Sequence, residues 1–356
     1  MDVQRTHAVN ETPDAASPQP DEAGGGSMRA AVCDRYGPPE VLRVADVPIP
    51  EPGPGEVRVR VHAAGLNALD WHVVRADPFF VRLDKGLRRP TFSGPGAEVA
   101  GVVDRLGAEV TSVAVGDEVI ADISGAGLGG LSQWRCLPAE VLVPKPVGTT
   151  FVEAAGLPLA GGTALRALRE VAAVQPGERV LVHGASGGVG TFAIQIAKIL
   201  GAHVTALCSG ARIAQARELG ADEVLDRAET DLSTTSVRWD VVLGVNGHQP
   251  LSTYRRILAP GGRYAMVGGT YRQIFGALFL GRLYSTGGRT LRPVVHSPSP
   301  ALVADLASWA AEGTLRTVVE RTYSLGEAAA ALAAIDSGHS GGKIIVTMGP
   351  DPDRQP

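Results

Sequence analysis

The run Arg179-Val180-Leu181-Val182-His183-Gly184-Ala185-Ser186-Gly187-Gly188-Val189-Gly190 joins an apolar segment to a glycine-rich turn. Thr191-Phe192-Ala193-Ile194-Gln195-Ile196-Ala197-Lys198 then continues with helical apolar periodicity. Strand, tight turn, helix is the order that a dinucleotide pyrophosphate requires: backbone free of Cβ atoms, and helix N–H groups aimed at the phosphates. Here Ala185 takes the place of the first glycine of the usual G-x-G-x-x-G, followed by Ser186, Gly187, Gly188, Val189 and Gly190. About 20 residues further on, an NAD site offers an Asp or Glu to the ribose 2′-OH. This chain instead has Cys208-Ser209-Gly210-Ala211-Arg212 after an apolar run. A small neutral loop ending in arginine suits a 2′-phosphate, with Ser209 donating a hydrogen bond and Arg212 pairing bidentately. The bland alternative for Arg212 is a solvated residue in the first turn of a surface helix.

The elements that must position these groups fall into two textures. From residue 28 to 150, short β-like runs (28–33, 41–44, 57–63, 100–106 and 118–123) alternate with turns such as Pro52-Gly53-Pro54-Gly55 and Val115-Gly116-Asp117. From 151 the pattern becomes strand–helix alternation. Helices are expected at 151–170 (Pro158 apart), 188–200, 211–219 and 251–258. Strands are expected at 179–182, 203–208, 223–225, 240–243 and 263–267. Such alternation implies parallel pairing through right-handed crossovers. Two more helices, 300–312 and 325–337, precede an apolar strand at 343–348 that is expected to return to the first unit. The fold class is therefore α/β: a β-rich domain interrupted by a Rossmann unit with a doubly wound parallel sheet. The expected divisions are a disordered tail at 1–27, a β-rich domain at 28–150, the Rossmann domain at 151–294, a return segment at 295–348 and a tail at 349–356.

Bulk composition narrows the partners. The 356 residues are 44% hydrophobic and 20% charged, with a net charge of −4, which leaves no basic footprint for nucleic acid. Cys33, Cys136 and Cys208 stand singly, so neither a disulfide framework nor a cysteine-rich zinc lobe is available, and a reducing cytoplasm is expected. The Pro-, Gly- and acid-containing stretch 1–27 has no apolar core of a signal peptide or anchor, and Met28 could be the functional start.

The chain resembles the medium-chain dehydrogenase/reductase superfamily, in its zinc-free quinone oxidoreductase-like (zeta-crystallin-like) branch. The markers are Pro52-Gly53-Pro54-Gly55-Glu56-Val57, Ala64-Gly65-Leu66-Asn67-Ala68-Leu69-Asp70, Val115-Gly116-Asp117-Glu118-Val119, Gly162-Thr163-Ala164 and the glycine turn. Leu219-Gly220-Ala221-Asp222, Ala259-Pro260-Gly261-Gly262-Arg263 and Gly342-Lys343-Ile344-Ile345 follow. The resemblance implies a GroES-like catalytic domain and a cleft between the domains. Zinc-dependent relatives place a cysteine near Leu66-Asn67 and Gly-His-Glu where this chain has Gly96-Ala97-Glu98. Glu98 alone cannot hold catalytic zinc, which wants three converging protein ligands. No metal is expected, and Glu98 reads as a leftover carboxylate paired with an arginine.

In such relatives Asn67 and its successors line the nicotinamide pocket, and the usual proline after the asparagine is Ala68 here. Where relatives carry a tyrosine or lysine toward the substrate oxygen, this chain has His72, which could donate a proton near neutral pH or could simply pack. Asp70 could orient His72 or cap a short helix. The resemblance further implies cofactor contacts from Thr163, Val245, Val267, Gly268 and Lys343, and a second 2′-phosphate contact from Arg227.

The expected cofactor is NADPH and the expected reaction is hydride transfer to a quinone or the β-carbon of a small enone. A tailoring reductase of a biosynthetic pathway and a non-catalytic nucleotide-binding protein remain as alternatives. The apolar stretch 271–291 reads as a cleft lid or dimer contact in preference to membrane attachment, so a homodimer is expected. The loops 71–89 and 125–134 are expected to set substrate choice.

Overall fold

The computed structural model describes residues 26–79, 81–92, 94–247, 249–268, 285, 287–336 and 340–349. The expected tail at 1–27 lies outside these, apart from Gly26 and Ser27, as does most of the 271–291 stretch. The tail expected at 349–356 is described at Gly349 alone.

The first unit is a set of antiparallel strands. Strands β1 (Ser27–Val32) and β2 (Arg43–Pro48) pair antiparallel as a two-stranded sheet. A larger sheet is built from β3 (Glu56–Leu66), β4 (Glu98–Leu106), β5 (Glu118–Asp122), β6 (Trp134–Pro138) and β7 (Val143–Pro144). Along β3 the residues Val57, Val59 and Val61 are buried in one apolar cluster with Val99, Val103, Val119 and Leu137. Short helices α1 (Ala68–Arg75) and α2 (Val81–Lys85) occupy the long connection from β3 to β4.

Helix α3 (Phe151–Ala155) packs against β3 and β4, and α4 (Pro158–Leu165) leads toward the second unit. Thr150 caps α3, its hydroxyl accepting from the Glu153 N–H while Glu153 reaches back to the Thr150 N–H. Pro158 stands in the first turn of α4, where its missing N–H costs nothing. Helical backbone therefore breaks at Gly156 and Leu157 and resumes at Pro158, continuing into a π-helical stretch, Arg166–Val171.

The second unit is a six-stranded parallel sheet. Its strands are β8 (Arg179–His183), β9 (His203–Cys208), β10 (Glu223–Asp226), β11 (Trp239–Val245), β12 (Leu258–Val267) and β13 (Thr290–Pro293), in spatial order β10-β9-β8-β11-β12-β13. Helices α5 (Gly188–Ile199), α6 (Ile213–Glu218) and α7 (Leu251–Ile257) are the crossovers. Both faces of the sheet are covered, so alternate residues of each strand enter different cores. Val180 and Val182 join the cluster with Phe192 and Ile196, whereas Leu181 joins Trp239, Tyr254 and Tyr264. That two-sided burial explains why these strands read as continuous apolar runs rather than alternating ones.

The chain then returns. Helix α8 (Pro300–Ala311) packs on α4, β14 (Val319–Ser324) pairs parallel with β15 (Lys343–Thr347), and β15 pairs antiparallel with β3. Helix α9 (Ala328–Asp336) lies between β14 and β15 in sequence. Strands β6, β7, β13 and β14 carry too few apolar residues, or too short a run, to announce themselves.

The glycine turn corrects one reading. Ala185 does not stand in for a missing glycine; Gly184 does the work, with φ at +83° and its α-carbon packed against the Val245 carbonyl. Gly190 packs its α-carbon just as closely on the Gly184 carbonyl. A Gly184→Ala variant places a Cβ against that carbonyl in a backbone region that L residues avoid, and should lose roughly 2 kcal/mol or more of folding stability. Urea denaturation measures this; a loss under about 0.5 kcal/mol would contradict the assignment, since surface substitutions fall in that range.

Candidate active site

The carboxyl ends of β8 and β9 face the β-rich unit across a cleft of about 260 Å³. Its Rossmann wall carries Ser186, Gly187, Gly188 and Val189, at the start of α5, for which Gly187 is the N-cap. Further along lie Ser209, Arg212 and Arg227, and near β11 lies Val245. The opposite wall carries Asn67 and Lys343. The structure thus gathers groups from six separate segments into one cavity.

Asn67 and Lys343 belong to a buried polar cluster. Lys343 Nζ donates to the Leu66 carbonyl at 3.0 Å and to Asn67 Oδ1 at 2.6 Å, and pairs with Glu98 Oε1 at 2.6 Å. Asn67 Nδ2 donates to the same Glu98 Oε1 at 2.9 Å, and the Leu159 N–H at the start of α4 donates to Glu98 Oε2 at 2.7 Å. Three ammonium protons meet three acceptors, and both carboxylate oxygens are engaged. Glu98 is fully buried, and its partner is Lys343, not the arginine anticipated from the sequence. With those oxygens occupied, the residues at this position do not fit a metal. Among the described residues no three His, Cys, Asp or Glu side chains gather as a metal site.

Asp70 and His72 sit on α1, away from the cavity lining. Asp70 is fully buried; its Oδ2 accepts the Asn67 N–H at 2.8 Å and its Oδ1 accepts the Gly96 N–H at 2.7 Å. Of the two roles open to it, capping is the one observed. It ties the loop at Asn67 to the loop before β4. Burial pushes Asp70 up to about 7, against the pull of those two N–H donors and of the Lys343 charge. His72 Nδ1 donates to the Asp77 carbonyl at 2.6 Å, and its ring stands edge-on to Trp71. That bond turns the imidazole toward the end of its own helix instead of toward the cleft.

Other expected cofactor residues take backing positions. Ala185 is buried behind the turn, Gly190 supplies close packing, and Val267 packs on the core at the end of β12. Gly268 has φ of +64° and lies beside Asn246, itself at positive φ. Thr163 is buried on α4 and its Oγ1 lies 3.1 Å from His296 Nδ1.

Among the lining residues that were not anticipated are His183 and Asn246. His183 closes β8 and lies 2.9 Å from the Tyr254 hydroxyl through Nδ1; Asn246 follows β11. A polar residue at the last position of an apolar strand, just before a glycine turn, was the available signal for His183. Arg212 also proved more committed than its sequence context implied. Its Nη2 donates to both oxygens of Glu320 on β14, at 2.8 and 3.0 Å, so it bridges the two units. Arg227 forms no ion pair among the described residues. Burial raises the Cys208 thiol above its ordinary value.

Comparison with known proteins bears on these features. Residues 53–147 match the family described as alcohol dehydrogenase GroES-like domain, and residues 219–346 match zinc-binding dehydrogenase. The chain is 32% identical to chloroplastic quinone-oxidoreductase QR1 of Triphysaria versicolor, over 90% of this chain and 99% of that one. It is also 32% identical to mitochondrial NAD(P)H oxidoreductase RTN4IP1 of Mus musculus, over 90% and 89% respectively. The solved quinone oxidoreductase of Coxiella burnetii superposes with a TM-score of 0.82 at 29% identity, covering 91% of this chain and all of that one.

The Asp70 geometry generates a pH dependence. Between its ordinary value of 3.8 and about 7, the folded chain holds a proton that the unfolded chain has released. Asp70's contribution to stability therefore declines as pH rises through that window. Asp70→Asn should remove this component while costing about 1–3 kcal/mol, because an amide N–H must face a backbone donor. Urea midpoints from pH 4 to 8 check it; parallel pH profiles for wild type and variant would contradict the assignment.

Proposed function

We propose that this chain, which belongs to the medium-chain dehydrogenase/reductase superfamily alongside its quinone oxidoreductase-like members, reduces a small quinone or enone with NADPH. Its relatives are oxidoreductases, among them NAD(P)H-dependent ones, so a nicotinamide cofactor is common ground. The observation that carries the proposal is one cleft, with a glycine turn suited to phosphate on one wall and the Asn67–Lys343–Glu98 cluster on the other. A quinone contains the enone unit, so both acceptors ask for the same chemistry.

The residues present fit the cofactor. The backbone from Ser186 to Val189, at a helix start with no Cβ on Gly187 or Gly188, would hold the pyrophosphate. Ser209, Arg212 and Arg227 would hold the 2′-phosphate, with Val245 toward the nicotinamide end. When bound, reduced nicotinamide supplies a hydride. The chain's own part is to fix the acceptor against that face, exclude water and stabilise charge arriving on the acceptor's oxygen. Asn67 is held rigid by its bonds to Lys343 and Glu98, so it acts as a fixed wall. The cluster is neutral overall, because the Glu98 carboxylate cancels the Lys343 charge. It therefore orients the acceptor without attracting an anion.

Cofactor choice rests on a competition. Glu320 already pairs with Arg212, so a 2′-phosphate must share that guanidinium and draws the rest of its stabilisation from Arg227 and Ser209. Arg212 is about one-third exposed, which discounts a charge-assisted bond toward about 1.4 kcal/mol, or tenfold. Arg212→Ala should weaken NADPH about tenfold and leave NADH nearly unchanged. Glu320→Gln, which removes the competitor, should tighten NADPH. Fluorescence titration of both cofactors, followed by turnover on quinones and enones, decides the matter. Equal NADH and NADPH binding by wild type would contradict the phosphate reading, and tight binding without turnover would favour a nucleotide-binding protein.

A further inference from the structure

We propose that Asp122, His296 and Thr163 form a proton relay that delivers the second hydrogen of the reduction to the acceptor's oxygen; this rests on the reductase reading above. His296 Nε2 lies 2.9 Å from Asp122 Oδ2, and His296 Nδ1 lies 3.1 Å from Thr163 Oγ1. A carboxylate only accepts, so Nε2 carries a hydrogen. In the neutral ring Nδ1 then accepts from the threonine hydroxyl, and in the protonated ring it donates to it. Asp122 is almost fully buried and holds its orientation by accepting the Ser124 N–H on Oδ1 at 3.0 Å. The Ser124 hydroxyl lies 3.2 Å from Nε2. The order carboxylate, imidazole, hydroxyl is the arrangement in which an imidazole can pass a proton to or from an oxygen.

The fold places this chain of groups beside the nicotinamide-side wall. Asp122 and Glu98 are directly opposite each other in the β4–β5 pair, so they project from one face about 5 Å apart. Helix α4 runs over that face. Its Leu159 N–H reaches Glu98, and Thr163, one turn further on, reaches Asp122 through His296. Ala160 lines the cleft, and Thr163 stands three residues later on the same helical face. His296 comes from the segment after β13, the last strand of the Rossmann sheet, so the relay is assembled from both units.

Hydride addition to the acceptor's carbon moves the π electrons onto its oxygen. That oxygen takes the Thr163 hydroxyl proton; Thr163 recovers a proton from Nδ1 of protonated His296, leaving the ring neutral against Asp122. The ring's side chain is 27% exposed, which opens it to reprotonation from solvent. Thr163 is the group that would touch substrate; His296 and Asp122 act through it.

Stopped-flow reduction of 1,4-benzoquinones, from methylated to halogenated, tests the relay through the basicity of the reduced oxygen. His296→Asn and Thr163→Val should lower turnover about 10²-fold for methylated quinones, the deficit shrinking toward none for halogenated ones. Thr163→Ser should restore the rate, and NADPH affinity of His296→Asn should stay within about threefold. Independently of turnover, ¹⁵N spectra of the cofactor-free protein should show His296 with hydrogen on Nε2 and an Nδ1 shift that changes in Thr163→Val. A loss equal across all quinones, no loss, or an Nδ1–H ring at neutral charge overturns the relay. A wild type inert toward every quinone and enone overturns instead the reductase reading beneath it.

Discussion

The architecture depends on one buried ion pair, Lys343 with Glu98. Neither side chain is more than 2% exposed, and stripping water from two charges costs several kcal/mol per ion. Such a pair persists only where its protons and oxygens find partners, and here all three ammonium protons and both carboxylate oxygens do: the Leu66 carbonyl, the Asn67 amide and the Leu159 N–H complete the set. These contacts join the end of β3, the start of β4, the start of α4 and the returning strand β15. The pair therefore holds the C-terminal return against the first unit at the point where the cleft opens.

That constraint shapes the chemistry on either side. With Glu98 committed to Lys343, the position that serves metal-dependent relatives becomes a neutral, rigid wall. The next carboxylate along the same sheet face, Asp122, is joined to a histidine ring instead of a lysine. Across the cleft Arg212 shows the same economy of charge. It links β14 to the Rossmann loop through Glu320 and still borders the cavity, so one guanidinium serves both the contact between the units and the cleft wall.

Much of this was legible in the residues. Parallel strands buried on both faces produce apolar runs, and helices between them show their period, so β8 to β11 and their crossovers were readable to within about two residues, whereas β12 starts at Leu258, ahead of the expected 263. The glycine turn was readable as a site, although it took backbone angles to show that Gly184 is its first glycine. What could not be read was long-range pairing. Nothing local in Gly342-Lys343-Ile344 says that the lysine meets Glu98, 245 positions earlier, because that depends on how β15 registers against β3. His72 looked chemical by position along the chain, but a single bond to the Asp77 carbonyl turns it away. His296, in a stretch of prolines and serines, carried no periodic signal, and its partners lie more than 130 positions away.

A double-mutant cycle on Lys343 and Glu98, read by urea denaturation, tests the central claim most directly. Lys343→Met leaves a buried carboxylate unpaired and should cost about 3–5 kcal/mol. Glu98→Gln in that background should return part of the loss, giving a coupling of about 2 kcal/mol or more. Additive losses, or a Lys343→Met cost below about 1 kcal/mol, would show that the pair does not hold the structure together.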